Sequence, residues 1–251
     1  ERFSTAFILP CLYARQARRR EPDLKKKTIC VVTATRAEYG LLKNVIRGLQ
    51  HTEELDVRVV ATGMHLCEGF GMTWREIEKD GISIDAKLDV GIEEATARNI
   101  SETMARALVA FGGYFEKARP DALLVLGDRY EILSVCIAAM NQRIPIFHMC
   151  GGETTQGAVD EAIRHAITKM SYLHFTQLES YRQRVIQLGE APERVFYVGA
   201  PGVENALHIA PLSRGALEES IGMSFRKPLG VVTFHPVTLE EAKETEEMEQ
   251  L

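Results

Sequence analysis

From Thr28 onward, short runs rich in β-branched residues alternate with amphipathic helical stretches, and the alternation barely breaks before Pro201. Strands that take turns with helices pair in parallel, because each crossover helix returns the chain to the same end of the sheet. The pattern predicts strands at 28–34, 56–62, 82–88, 121–127, 145–149, 172–176 and 194–198. One helix is predicted at 41–51, where Leu41, Leu42, Val45, Ile46 and Leu49 share a face at helical spacing. The longest, at 93–117, contains Gly112-Gly113 and is expected to kink or split there. The fold class this implies is α/β, a doubly wound, Rossmann-like parallel sheet spanning 27–205.

Beyond Pro201 the pattern changes. Residues 203–223 read as a helix, a turn at Pro211 and another helix, with 206–226 as a connecting segment, and a new strand is expected at 229–234, followed by an acidic helix at 238–251. A lone strand and helix cannot bury a core, so 227–251 reads as the start of a second α/β domain that this chain does not complete. Residues 1–26 read as an extension outside the fold. Their apolar stretch at 6–14 is short, contains Pro10 and precedes the basic run at 15–20, the reverse of a secretory signal.

Composition narrows the partners. Lys+Arg 30 against Asp+Glu 35 gives a net charge of -5, the opposite of the basic surface that a nucleic-acid backbone binder needs. No apolar run approaches the roughly 20 residues of a membrane helix. The five cysteines include no C-x-x-C pair, so neither a disulfide framework nor structural zinc is signalled, and a reducing cytoplasm is the expected setting.

In an open parallel sheet, ligands bind beyond the carboxyl ends of the strands. The residues there are unusually polar: Arg36 after the first strand, His65 after the second, Asp128 and Arg129 after the fourth, Glu153 after the fifth, and His235 after the strand expected at 229–234. Such convergence suits a charged small molecule. Each member also fits a plainer role. Asp128 suits a helix N-cap, Arg36 suits a surface ion pair, and Arg164 suits an i,i+4 pair with Asp160. His148, Cys150, Glu153 and His165 have metal-ligand chemistry but no H-E-x-x-H or C-x-x-C spacing, so no metal is expected. The first strand is followed by T-R-A-E-Y-G rather than G-x-G-x-x-G, which disfavours a nicotinamide or flavin cofactor, and there is no G-x-S-x-G elbow. Acid–base work by carboxylates beside an anion clamp remains.

Six ordered segments, TATRAEYG at 33–40, TGMHL at 62–66, GDRYE at 127–131, HMCGGETTQGAVDEAIRHAITK at 148–169, VGAPG at 198–202 and TFHPVT at 233–238, resemble the hydrolysing UDP-N-acetylglucosamine 2-epimerases of sialic acid synthesis. The resemblance implies a two-domain glycosyltransferase-B-type fold with the site in the cleft between domains. It makes Arg36 a diphosphate contact and places Asp128 and Glu153 beside the sugar as acid–base carboxylates. Asp160 or Glu161 supplies a third carboxylate, and the sequence leaves that choice open. Arg129, His65, Arg164, His165 and His235 line the substrate in this pattern. The implied reaction needs no redox cofactor or catalytic metal and releases UDP and N-acetylmannosamine. The same mechanism on a UDP-2,4-diacetamido-trideoxyhexose, a non-catalytic UDP-sugar-binding fragment, and a glycosyltransferase on the same fold are the alternatives. The family commonly forms homo-oligomers.

Overall fold

A computed structural model describes residues 25–233 and 248–249. Within them, β1 (Lys27–Thr33), β2 (Leu55–Thr62), β3 (Ile84–Leu88), β4 (Ala122–Leu126), β5 (Ile146–Met149), β6 (Leu173–Thr176) and β7 (Val195–Tyr197) form one sheet in the order β3-β2-β1-β4-β5-β6-β7. Every neighbouring pair is parallel. The order reverses between β1 and β4, and this switch point opens a crevice at the carboxyl end of the sheet.

The strands are apolar because both faces are covered. Ile29, Val31, Val59 and Leu124 pack on one side with Leu42, Ile46 and Leu49 of α1 (Arg36–Gln50). Cys30, Val32, Val60 and Leu123 face the other way, against Phe111 and Phe115 of α3 (Ala97–Ala118) and Ile132 and Val135 of α4 (Tyr130–Asn141). Successive residues of a strand thus serve opposite cores, which is why these runs show no polar alternation. Fully burying each such Leu, Ile or Phe contributes roughly 1.5–3 kcal/mol.

The seven strands fall within two residues of their expected positions. α1 begins earlier than expected, because Thr35 closes a capping box: its hydroxyl accepts from the Glu38 N–H at 3.2 Å. The helix expected to break at Gly112-Gly113 runs unbroken. Phe111 and Phe115, one turn apart and fully buried, hold it to the sheet on either side of the glycine pair. A short α2 (Trp74–Lys79) lies between β2 and β3, in keeping with the expected alternation. Further on come α5 (Asp160–Met170), α6 (Glu179–Gln187), α7 (Pro201–His208) and α8 (Arg214–Ile221).

The strand expected at 229–234 does not form over the described residues 229–233. A strand needs a partner edge, and among the described residues none lies beside this run, whose Val231 and Val232 are exposed. His235 lies outside the described residues, as does the helix expected at 238–251 except for Met248 and Glu249.

Candidate functional site

The loops after β4 and β5 meet α5 beside the switch point, through Arg164. At the centre stands Arg164, 4 % exposed and projecting from α5. One guanidinium nitrogen, Nη2, forms an ion pair with Asp128 and donates to Thr155 Oγ1 at 2.9 Å. The other, Nη1, donates to the Glu153 backbone carbonyl at 2.9 Å. Three donors in a rigid fork therefore tie the β4 loop, the β5 loop and α5 together.

This arrangement replaces two plainer readings. The N-cap of α4 is Arg129, and no side chain caps that helix. Asp128 instead turns to Arg164, 36 residues away in sequence. Arg164 in turn pairs across elements rather than with Asp160 along its own helix.

Burial, with the Asp128 charge nearby, pushes the Glu153 carboxyl above its ordinary value, against the pull of Arg164. Burial likewise lifts Asp160, again helped by Asp128 and opposed by Arg129 and Arg164. Asp160 thus belongs electrically to the cluster of Asp128, Arg129 and Arg164. Its neighbour Glu161 is engaged elsewhere: it accepts from the Thr155 N–H at 3.0 Å and lies 3.7 Å from His165 Nε2. One Glu153 oxygen and His165 Nδ1 are buried without a protein partner.

The β5 loop is held by close backbone contact. Gly152, at φ +80, passes so near α6 that a Cβ there would lie 2.4 Å from the Tyr181 carbonyl oxygen. Arg184 of α6 donates to the Gly152 carbonyl. Cys150 adopts φ 64 without being glycine, and its Sγ accepts from Gln177 Nε2 at 3.0 Å.

Nearer the rim, Arg36 is the first residue of α1, where the helix dipole favours anions. Its side chain is 73 % exposed and pairs with Glu76 at 3.0 Å. His65 does not face the crevice. The 3₁₀ turn Gly63–Leu66 carries it beneath the β1 loop, fully buried, with Nε2 3.0 Å from Thr33 Oγ1 and Nδ1 2.8 Å from Thr73 Oγ1. His148, weighed as a metal ligand, has both ring nitrogens engaged, by the Gly127 carbonyl and by Thr168. Among the described residues, no group of three or more His, Cys, Asp or Glu is arranged to hold a metal.

Sequence reasoning assigned no role to Glu38 and Glu131, although both lie in the quoted motifs. Glu38 Oε2 accepts from the Ala34 and Thr35 N–H groups at 2.7 and 3.1 Å, and burial pushes its carboxyl up to about 8. Glu131 is fully buried and holds Arg129 Nε at 2.7 Å. The T-x-x-E capping box was the signal available for Glu38. No local signal marks Glu131.

Known proteins resemble this chain in sequence and in fold. Residues 47–251 match the family model described as UDP-N-acetylglucosamine 2-epimerase. The chain is 41% identical over 216 residues to GDP/UDP-N,N'-diacetylbacillosamine 2-epimerase (hydrolyzing) of Campylobacter jejuni, covering 86% of this chain and 56% of that protein. It is 43% identical over 225 residues to polysialic acid biosynthesis protein P7 of Escherichia coli, covering 90% of this chain and 57% of the relative. It therefore spans little more than half the length of these relatives. The solved UDP-N-acetylglucosamine 2-epimerase of Rickettsia bellii shares the fold with a TM-score of 0.64 at 23% identity, over 79% of this chain and 52% of that one. On the family match and the two close relatives, this chain belongs to the UDP-N-acetylglucosamine 2-epimerase family.

Proposed function

We propose that this chain supplies the acid–base half of a hydrolysing 2-epimerase that converts UDP-N-acetylglucosamine and water to N-acetylmannosamine and UDP. One observation carries the reading: Asp128, Glu153 and Asp160 gather around a single buried arginine, and burial together with the Asp128 charge raises the Glu153 and Asp160 carboxyls from their ordinary values. Crowded carboxylates whose environments differ suit a proton removed by one and returned by another.

In the proposed reaction a carboxylate takes the C2 proton while the bond from C1 to the UDP oxygen breaks, leaving a 2-acetamidoglucal and free UDP. Water then adds its oxygen at C1, giving up a proton to a carboxylate, while a second acid delivers a proton to the opposite face of C2. Asp128, Glu153 and Asp160 are the candidates for these transfers. Asp160 is preferred over Glu161 because Glu161 is occupied by the Thr155 backbone. Arg36 is proposed as a diphosphate contact: an exposed ion pair contributes only about 0–1 kcal/mol, so Glu76 is readily displaced by a phosphate. Arg129, His165 and His235 keep proposed substrate-lining roles, whereas His65 is better suited to bracing the β1 loop.

A second substrate is favoured by the name of the Campylobacter relative, which acts on a diacetylated sugar nucleotide. The E. coli relative is named for polysialic acid biosynthesis and favours the first. Because the chain spans little more than half of either relative, a UDP-sugar-binding piece without turnover is a further alternative. Homo-oligomeric assembly and a cytoplasmic setting are also proposed. No described helix is long and apolar enough to cross a membrane.

The test is UDP release by the intact protein from UDP-GlcNAc and from a UDP-2,4-diacetamido-trideoxyhexose, each with parent, Asp128→Asn and Glu153→Gln. The reading expects turnover of one sugar nucleotide, lost in both variants with UDP affinity largely retained. Loss of UDP affinity as large as the loss of rate would remove these residues from the proton transfers.

A further inference from the structure

His148 is fully buried in β5 and has no part in the scheme above. Its surroundings are nonetheless those of the proposed carboxylate cluster. Nε2 lies 2.8 Å from the Gly127 carbonyl oxygen, and Gly127 immediately precedes Asp128. Nδ1 lies 3.2 Å from Thr168 Oγ1, and Thr168 stands one turn of α5 after Arg164. The backbone of the β5 loop rests on this pair: a Cβ at Gly151 would lie 3.1 Å from Thr168 Oγ1 and 3.2 Å from His148 Nδ1. One imidazole therefore meets the chain at the residue before Asp128 and one turn from Arg164, and leaves room only for glycine two residues before Glu153.

We propose that His148 is the positioning residue of this site: its Nε2–H fixes the Gly127 carbonyl and with it Asp128, while its Nδ1 fixes Thr168 and with it Arg164. The tautomer follows from the partners. A carbonyl only accepts, so Nε2 carries the proton and the Thr168 hydroxyl donates to Nδ1. Burial keeps the ring neutral, pushing the imidazole down to about 3, and the neighbouring His174, Arg164 and His165 act in the same direction. A neutral ring of fixed tautomer is a rigid two-point spacer.

The inference rests on the proposed reaction in so far as rate is measured. The experiment therefore has a second arm that does not depend on it. In the intact protein, His148→Gln places an amide N–H near the position of Nε2, whereas His148→Asn reaches only as far as Nδ1. Both are buried amides of similar polarity. Misplacing a reacting group by about 1 Å can lower a rate on the order of 10²-fold, so kcat of His148→Asn is expected at least about tenfold below that of His148→Gln, with KM little changed in both. Equal kcat values in the two variants, or a loss confined to KM, would show that His148 merely fills the core. Nitrogen-15 NMR of the parent's histidine rings forms the second arm. It is expected to show His148 protonated at Nε2, bare at Nδ1 and constant from pH 5 to 8; a bare Nε2, or titration in that range, overturns the proposal even if either variant fails to fold. If the parent turns over no UDP-sugar, the proposed function fails while the NMR result still decides whether His148 holds the Gly127 carbonyl.

Discussion

Replacing Gly152 by alanine should damage the molecule more than replacing Gly127, although both sit at nearly the same positive φ, +80 and +81. The left-handed conformation penalises any side chain by about 1–2 kcal/mol, and that term is common to the two sites. Around Gly127 a Cβ meets nothing within 4 Å. At Gly152 it would lie 2.4 Å from the Tyr181 carbonyl oxygen, 2.9 Å from Val185 Cγ2 and 3.0 Å from the Tyr181 carbonyl carbon. Relaxed contact begins near 3.4 Å, so the loop or α6 must move by about 1 Å, and two of the three obstacles are backbone. Overpacking of this kind typically adds ~1–3 kcal/mol. Gly152→Ala should therefore lose about 3 kcal/mol in urea unfolding, against about 1 kcal/mol for Gly127→Ala. Because the neighbouring Glu153 carbonyl is an anchor of Arg164, the displacement also moves the carboxylate cluster. A misplacement of about 1 Å can lower a rate on the order of 10²-fold, which is the expected loss of UDP release. Equal unfolding free energies for the two variants would refute the argument, since the contact with α6 would then impose no constraint.

Stability should respond to pH in two opposite senses. Burial holds His65 down to about 4 and His148 to about 3, against an ordinary 6.5, so their contribution is complete above pH 6.5 and is lost as the pH falls toward those values. Glu38, raised from 4.5 to about 8, contributes most below pH 4.5 and loses that contribution as pH rises through about 8; relative to Glu38→Gln, the parent should weaken steadily between pH 5 and 9 in urea titrations. Thr35→Ala removes the cap of α1 and should lower the unfolding free energy by ~1 kcal/mol, with a change under 0.3 kcal/mol counting against the capping box. Arg164→Met leaves Asp128 without its cation, and loss of one partner of a buried pair costs about 3–5 kcal/mol; a midpoint unchanged in urea would contradict the central position given to this arginine.

The strands were legible because a sheet buried on both faces writes itself as short β-branched runs, and Cys30 and Val31 show the point by serving opposite cores. The same logic misled at 229–233, where a β-branched run has no partner edge among the described residues. The site was legible as a set of polar residues after strands, but not as pairings. Asp128 could be read as a cap because its partner Arg164 lies on another element, and long-range pairing leaves no local trace. His65 read as part of the rim because the 3₁₀ turn that carries it inward has no strong sequence signature. The choice between Asp160 and Glu161 depended on direction around the first turn of α5, which adjacent residues in a sequence do not reveal.

The most direct test of the account is proton NMR of the intact protein with UDP-GlcNAc in D2O, and in parallel with the diacetamido sugar nucleotide. Elimination followed by hydration exchanges the C2 proton with solvent, so the account predicts free UDP together with a 2-epimerised free sugar carrying deuterium at C2. Release of UDP with the original proton still on C2, or no change in either sugar nucleotide, would contradict the roles given to Asp128, Glu153 and Asp160.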